Sequence, residues 1–260
     1  MILDDLKKAT RERVEAAKQA LPLKELERLL DQRPEREHFI FEKALKKEGM
    51  SYICEVKKAS PSKGIIAADF PYVSIAKEYE AAGADCISVL TEPRYFMGDI
   101  RYLREIRDAV DTPLLRKDFT CDEYMVTEAA VNGADAILLI AAILDDEELR
   151  YFHQKADDLG MSAIFEAHDR EEIGRCLKAG ARIVGVNNRD LRDFSVDTGN
   201  SGKLREAVPE DVIFVAESGI RTAEDVNSLR AAGVDACLIG ETLMKSRDKK
   251  AKLMELDGRP

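Results

Sequence analysis

Lys117 ends the run Pro113-Leu114-Leu115-Arg116-Lys117-Asp118-Phe119, an apolar stretch that finishes in an amine. Glu55 with Lys57, Glu166, Asn187 and Glu217 close other short apolar runs in the same way. Amines set beside carboxylates can deliver and remove protons, which is general acid and base catalysis. These positions spread over roughly 160 residues, so they form one site only if the fold gathers strand ends. In parallel α/β folds the carboxyl ends of the strands converge on one face and do that.

Strand alternation puts Glu55 and Lys57, two apart, on one face and Val56 on the other. Opposite charges on the inner face of a strand are costly unless paired or used. Arg116 and Asp118 flank Lys117, which predicts three charged groups together at the rim. The apolar run before Glu166 would partly desolvate its carboxyl and lift its pKa toward values useful for proton transfer. His168 is two residues further on, spaced to partner Glu166 but read as a solvent-facing loop residue. His38 and His153 fall in helical patterns and read as surface residues. No histidine pair has ligand spacing for a metal, and no cofactor is expected.

Two further segments suit an anion. Phe214-Val215-Ala216-Glu217-Ser218-Gly219-Ile220 leads through Arg221 into a helical pattern, and Leu238-Ile239-Gly240-Glu241-Thr242 repeats the arrangement. Backbone N–H groups at such turns hold phosphate, which points to a phosphorylated small substrate. Lys58-Ala59-Ser60-Pro61-Ser62-Lys63-Gly64, rich in small residues and amines, reads as a mobile lid over an anionic ligand.

An internal echo identifies the elements that must position these residues. Ala82-Gly83-Ala84-Asp85, Asn132-Gly133-Ala134-Asp135, Ala179-Gly180-Ala181-Arg182 and Ala232-Gly233-Val234-Asp235 each precede an apolar run. Each reads as a glycine-closed helix end followed by a buried strand. The glycines lie 50, 47 and 53 residues apart, and a βα unit takes about 20 to 30, so every interval holds two units. Leu114 to Lys117, Ala163 to Glu166 and Ile213 to Glu217 supply the missing strands, and Ile53 to Lys57 precedes the first echo. Eight strands alternating with helical patterns predict an α/β fold, a closed (β/α)8 or TIM barrel, over 50–244. Residues 1–49 read as an extra N-terminal helical segment that caps or flanks it, and 245–260 as a C-terminal helix or tail.

With 260 residues and 45% apolar content the chain can bury one large core. The net charge of -10 argues against nucleic acid as a partner. No apolar stretch reaches the roughly 18 residues of a membrane span, and the start lacks a signal peptide's pattern, so a cytoplasmic protein is expected. The five cysteines show no C-x-x-C spacing, and neither disulfides nor zinc are indicated.

The segment from Glu55 to Gly64 resembles the signature of the indole-3-glycerol phosphate synthase family. Leu90-Thr91-Glu92 with Phe96 and Gly98, Leu115 to Phe119, Ile137 to Leu144, Val186 to Leu191 and Glu217 to Ile220 agree with it. The likeness runs from the N-terminal helices to Met244. It implies conversion of 1-(2-carboxyphenylamino)-1-deoxyribulose 5-phosphate to indole-3-glycerol phosphate, with loss of carbon dioxide and water. By that resemblance Lys117 is the general acid, Glu166 and Glu55 carry the proton traffic, and Lys57 holds phosphate or carboxylate and can serve as a second acid. Asn187 and Glu217 orient the substrate, Ser60 and Arg189 contact it, and Phe96, Leu138 and Leu191 wall its aromatic ring. Ser218, Gly219, Gly240 and Glu241 cradle the phosphate. Asp99 and Ala167 depart from the family's commoner residues, and Asp99 would weaken anion binding if it faced the pocket. A monomer or weak homodimer is expected. Two other readings stand beside this one: a phosphoribosylanthranilate isomerase-type barrel using a cysteine and an aspartate, and a natural or engineered barrel that binds a sugar phosphate without turnover.

Overall fold

A computed structural model describes residues 2–33, 36–189 and 195–258 of the chain. Three helices come first, α1 (Ile2–Ala20), α2 (Leu23–Leu30) and α3 (Ile40–Leu45), of which α2 was not read from the sequence. β1 (Ser51–Val56) is followed by a small antiparallel hairpin of β2 (Ala59–Ser60) and β3 (Gly64–Ile65), which gives the segment read as a lid some order of its own. The alternation then runs α4 (Tyr72–Ala82), β4 (Cys86–Leu90), α5 (Ile100–Arg107), β5 (Leu114–Lys117), α6 (Glu123–Val131), β6 (Ala136–Ile140), α7 (Asp146–Asp158) and β7 (Ser162–Ala167). It continues with α8 (Arg170–Lys178), β8 (Ile183–Asn187), α9 (Asn200–Leu204), β9 (Ile213–Glu217), α10 (Ala223–Ala231), β10 (Ala236–Ile239), α11 (Glu241–Lys245) and α12 (Lys249–Asp257).

β1 and β4 to β10 form one closed parallel barrel, β1 pairing with both β4 and β10. Both faces of each strand are covered, which is why the strands read as nearly unbroken apolar runs. The glycines of the echo adopt positive φ, 87° at Gly83, 86° at Gly133, 92° at Gly180 and 78° at Gly233, and each turns a helix end back toward the barrel. The aspartate behind three of them has a purpose the pattern alone did not show. Asp85, Asp135 and Asp235 accept the backbone N–H of Tyr52, Leu114 and Phe214 at 2.8, 2.8 and 2.7 Å. Each repeat thus satisfies an early donor of the preceding barrel strand, at the end opposite the ionisable residues. Aspartate caps start α5, α6, α7 and α8, and Asp99 is one of them, bonded to Arg101. That role ties Asp99 to its own helix.

Arg116 does not join Lys117 at the rim, because alternation turns it to the outer face of β5, where it is buried. Asp118, just beyond the strand, borders the same cavity as Lys117, but its carboxylate is buried and taken up elsewhere. Asp118 accepts two bonds from Arg13 of α1 at 2.9 and 2.7 Å and one from Thr91, while Arg116 pairs with Glu128 at 2.7 Å. Burial works against the Asp118 carboxylate, but Arg13 and Arg116 outweigh it and hold its pKa near about 2. Asp118→Ala would leave Arg116 buried without one of its anions, a loss expected at about 3 kcal/mol by denaturant midpoint. Because the folded pKa lies below the ordinary value, that stability is whole above about pH 4 and fades as pH falls toward 2. A variant within about 1 kcal/mol of wild type at pH 7 would show that the network does not anchor α1 to β5.

Candidate active site

The inward residues at the carboxyl ends of β1, β5, β7, β8 and β9 meet in one cavity of about 360 Å³. Its lining includes Glu55, Lys57, Lys117, Glu166, Asn187 and Glu217. Lys117 Nζ donates to Glu166 Oε2 and to Glu217 Oε2, each at 2.7 Å, joining strands that are 49 and 100 residues away in sequence. Lys57 pairs with Glu55 on the other side. Gly185 and Gly240 make the room: a Cβ at 185 would sit 2.6 Å from Glu217 Oε1, and one at 240 would sit 2.2 Å from Glu55 Oε1 and 2.8 Å from Lys57 Nζ.

Asn187 is held in one orientation. Its Oδ1 accepts from the Arg189 N–H at 3.0 Å and the Ser218 hydroxyl at 2.9 Å, so its amide nitrogen must face Glu166 Oε1, 3.4 Å away. Ser218 has φ 68° and Gly219 φ 82°, successive left-handed residues that turn the chain over the cavity mouth. For a serine that conformation is uncommon, and the bond to Asn187 with a second from Asn188 to the Ser218 carbonyl at 3.2 Å helps hold it. The Gly240–Glu241 turn faces this one, and the Glu241 carboxylate is occupied by Lys245 at 2.6 Å.

The charges are not equivalent. Burial pulls the Lys117 pKa down, but Glu166, Glu217 and Glu55 outweigh it and keep the amine protonated. Burial likewise opposes ionisation of Glu166, yet Lys117 and His168 bring its pKa below the ordinary glutamate value. The lift expected from desolvation alone is therefore reversed. Glu217 goes the other way: burial together with the neighbouring Glu166 and Glu55 exceeds the pull of Lys117 and pushes it up to about 7. Two carboxyls sharing one ammonium thus differ in protonation, the arrangement that separates an acid from a base.

Of the other residues read from the sequence, Ser60, Phe96, Leu138, Arg189, Ser218, Gly219, Gly240 and Glu241 also line the cavity, and Leu191 lies outside the described residues. Phe119 adds a second ring beside Phe96, with centroids 6.1 Å apart. Leu6 of α1 also reaches the lining, so the N-terminal segment supplies part of the wall. Amphipathic spacing announced that helix but not where its apolar face would land. His168 is largely buried beside Glu166, 3.8 Å away, rather than solvent-facing, and His153 is buried against Phe165 rather than on the surface. No cysteine lines this cavity among the described residues, so the cysteine and aspartate pair of the isomerase-type reading has no place in it.

The sequence profile of indole-3-glycerol phosphate synthase matches residues 3–256. The chain belongs to that family of carboxy-lyases of tryptophan biosynthesis. An indole-3-glycerol phosphate synthase from Ruminiclostridium cellulolyticum is 52% identical over 262 residues, covering 99% of each chain. Another from Endomicrobium trichonymphae is 54% identical over 256 residues, covering 98% of this chain and 99% of its own. Among solved structures, 3-hexulose-6-phosphate synthase from Salmonella typhimurium superposes with TM-score 0.63 at 12% identity, over 80% of this chain and 97% of its own, a likeness of fold. No described helix is long and apolar enough to cross a membrane.

Proposed function

We propose that this cavity carries out the family's ring closure, with Lys117 as general acid and Glu166 as the main proton acceptor. The substrate is 1-(2-carboxyphenylamino)-1-deoxyribulose 5-phosphate. The ring carbon bearing the carboxyl attacks the ketone, and Lys117 gives the ketone oxygen its proton. Carbon dioxide leaves and its bonding electrons restore the ring. Loss of the new hydroxyl as water then needs an acid on the oxygen and a base for the remaining proton, which Lys57 or Lys117 and Glu166 or Glu55 supply.

The observation that carries this reading is the single ammonium of Lys117 shared between two buried carboxyls. Its proton is held firmly while the cavity lacks substrate. A ketone oxygen entering that contact, together with the proton on Glu217, weakens the field around the amine and frees the proton for transfer. Phe96, Phe119 and Leu138 give the aromatic ring an apolar wall, where burial and stacking favour the closed pose. The backbone at Ser218, Gly219, Gly240 and Glu241, with the Lys57 amine, suits a phosphate, and Arg189 suits the carboxylate. Asn187 and Glu217 orient the amine and hydroxyls, with Ser60 beside them.

The same reading takes 50–244 as the barrel, 1–49 as its helical extension and 245–260 as its tail, in a cytoplasmic protein that is monomeric or weakly dimeric and binds no nucleic acid. Incubation with the substrate should produce indole fluorescence. Substrate bound without turnover would leave only the binding-barrel reading, and substrate consumed without an indole signal would end the proposal.

A further inference from the structure

His168 is not used in the mechanism above, yet it is built into the site from two sides. Glu172, in the first turn of α8, accepts the His168 backbone N–H at 2.7 Å and lies 3.2 Å from its Nδ1. A carboxylate can only accept, so Nδ1 carries a hydrogen. The other ring nitrogen, Nε2, is buried, makes no hydrogen bond among the described residues and lies 3.8 Å from Glu166 Oε1. A bare lone pair there would face the carboxylate unfavourably, whereas an N–H would attract it.

The surroundings favour the cation. Glu166 of β7, Glu172 of α8 and Glu217 of β9 all face the imidazole, with Lys117 on the far side of Glu166. Burial lowers the His168 pKa, but the hydrogen bond with Glu172 and the nearby charge of Glu166 outweigh it and raise it above the ordinary histidine value. Lys117 contacts Glu166 and Glu217 at equal distances, so it does not by itself decide which of them ionises. What separates them is the second oxygen. Glu166 Oε1 has Asn187 and His168, whereas Glu217 Oε1 is buried without a hydrogen bond among the described residues.

We propose that His168, clamped by Glu172, is a positioning residue that assigns the negative charge to Glu166 and leaves the shared proton to Glu217. This rests on Glu166 being the proton acceptor, and it explains why a deeply buried carboxyl next to another is ready to act as a base. His168 touches no reacting atom and acts through Glu166 alone.

The chain has three histidines, so the full-length protein labelled with 15N-histidine allows each ring to be titrated by NMR. His168 should titrate above the ordinary value, and Glu172→Gln and Glu166→Gln should each lower its midpoint. An unchanged midpoint in Glu166→Gln would overturn the proposal, because the ring would not sense the carboxylate. In turnover, His168→Gln should move the acid limb of the kcat profile up by about one pH unit, making the rate on that limb about tenfold lower. Glu172→Gln should move it the same way by less, and it serves if His168→Gln fails to fold. Limbs within about 0.2 unit of wild type in the folded variants would overturn the assignment, as a merely structural histidine would lower stability without moving them. Full turnover by Glu166→Gln with a shifted His168 midpoint would remove Glu166 as the base and leave this histidine with nothing to position.

Discussion

Lys117→Met is expected to lower ring closure by at least about a thousandfold, near 4 kcal/mol of transition-state stabilisation, while phosphate binding stays close to wild type. Among the described residues the amine is the one Lys or Arg cation in contact with both Glu166 and Glu217, and methionine keeps the length of the side chain without a proton to give. A variant retaining more than about a tenth of wild-type turnover would remove Lys117 from the acid role. The same substitution has a second readout. Without the ammonium, both buried carboxyls keep their protons to higher pH, so their folded pKa values rise above the unfolded one. A raised carboxyl pKa costs nothing below the unfolded value of about 4.3 and destabilises increasingly as pH climbs toward the folded value. The stability gap between Lys117→Met and wild type should therefore widen from pH 5 to pH 8. A gap independent of pH would mean that Lys117 does not neutralise these groups.

Glu166→Gln is expected to reduce kcat by about a hundredfold to ten-thousandfold, the range associated with loss of a positioned acid or base, with a much smaller change in KM. Glutamine preserves the volume and can turn its amide oxygen to Lys117, so the packing should survive and the loss should fall on chemistry. It also removes the negative charge that helps push Glu217 up to about 7. The Glu217 midpoint should accordingly drop, and a proton titration of the folded variant against wild type should show fewer protons bound near neutral pH. Turnover equal to wild type would strike Glu166 from the proton-transfer chain, and an unmoved Glu217 would mean that the two carboxyls do not sense each other.

Much of this architecture was legible because it rests on local rules. A glycine ending every second barrel helix marked where the chain turns back, and the apolar runs behind those glycines marked strands covered on both faces. Leu114–Lys117, Ile213–Glu217 and Ala236–Ile239 have the bounds that the patterns suggest. Two-residue periodicity was enough to put Glu55 with Lys57 on one side. Applied to Arg116 the same rule points outward, and the structure follows it, while Asp118 beyond the strand end borders the cavity with its carboxylate bonded to Arg13. Leu6, α2 and His168 were harder to read. What a helix face or a loop side chain meets depends on segments far along the chain, and spacing carries no record of that.

The order of residues by itself determined which ionisable groups end up at strand tips and therefore at one end of a barrel, since strand period and chain direction are local properties. Only the tertiary structure decided how those groups share protons. Lys117 lies between Glu166 and Glu217 because β5, β7 and β9 close into one ring, and Glu166 differs from Glu217 because Asn187 of β8 and His168, held by Glu172 of α8, stand beside its second oxygen. Protonation follows the field of all neighbouring charges and their burial, and both exist only once the distant segments are packed.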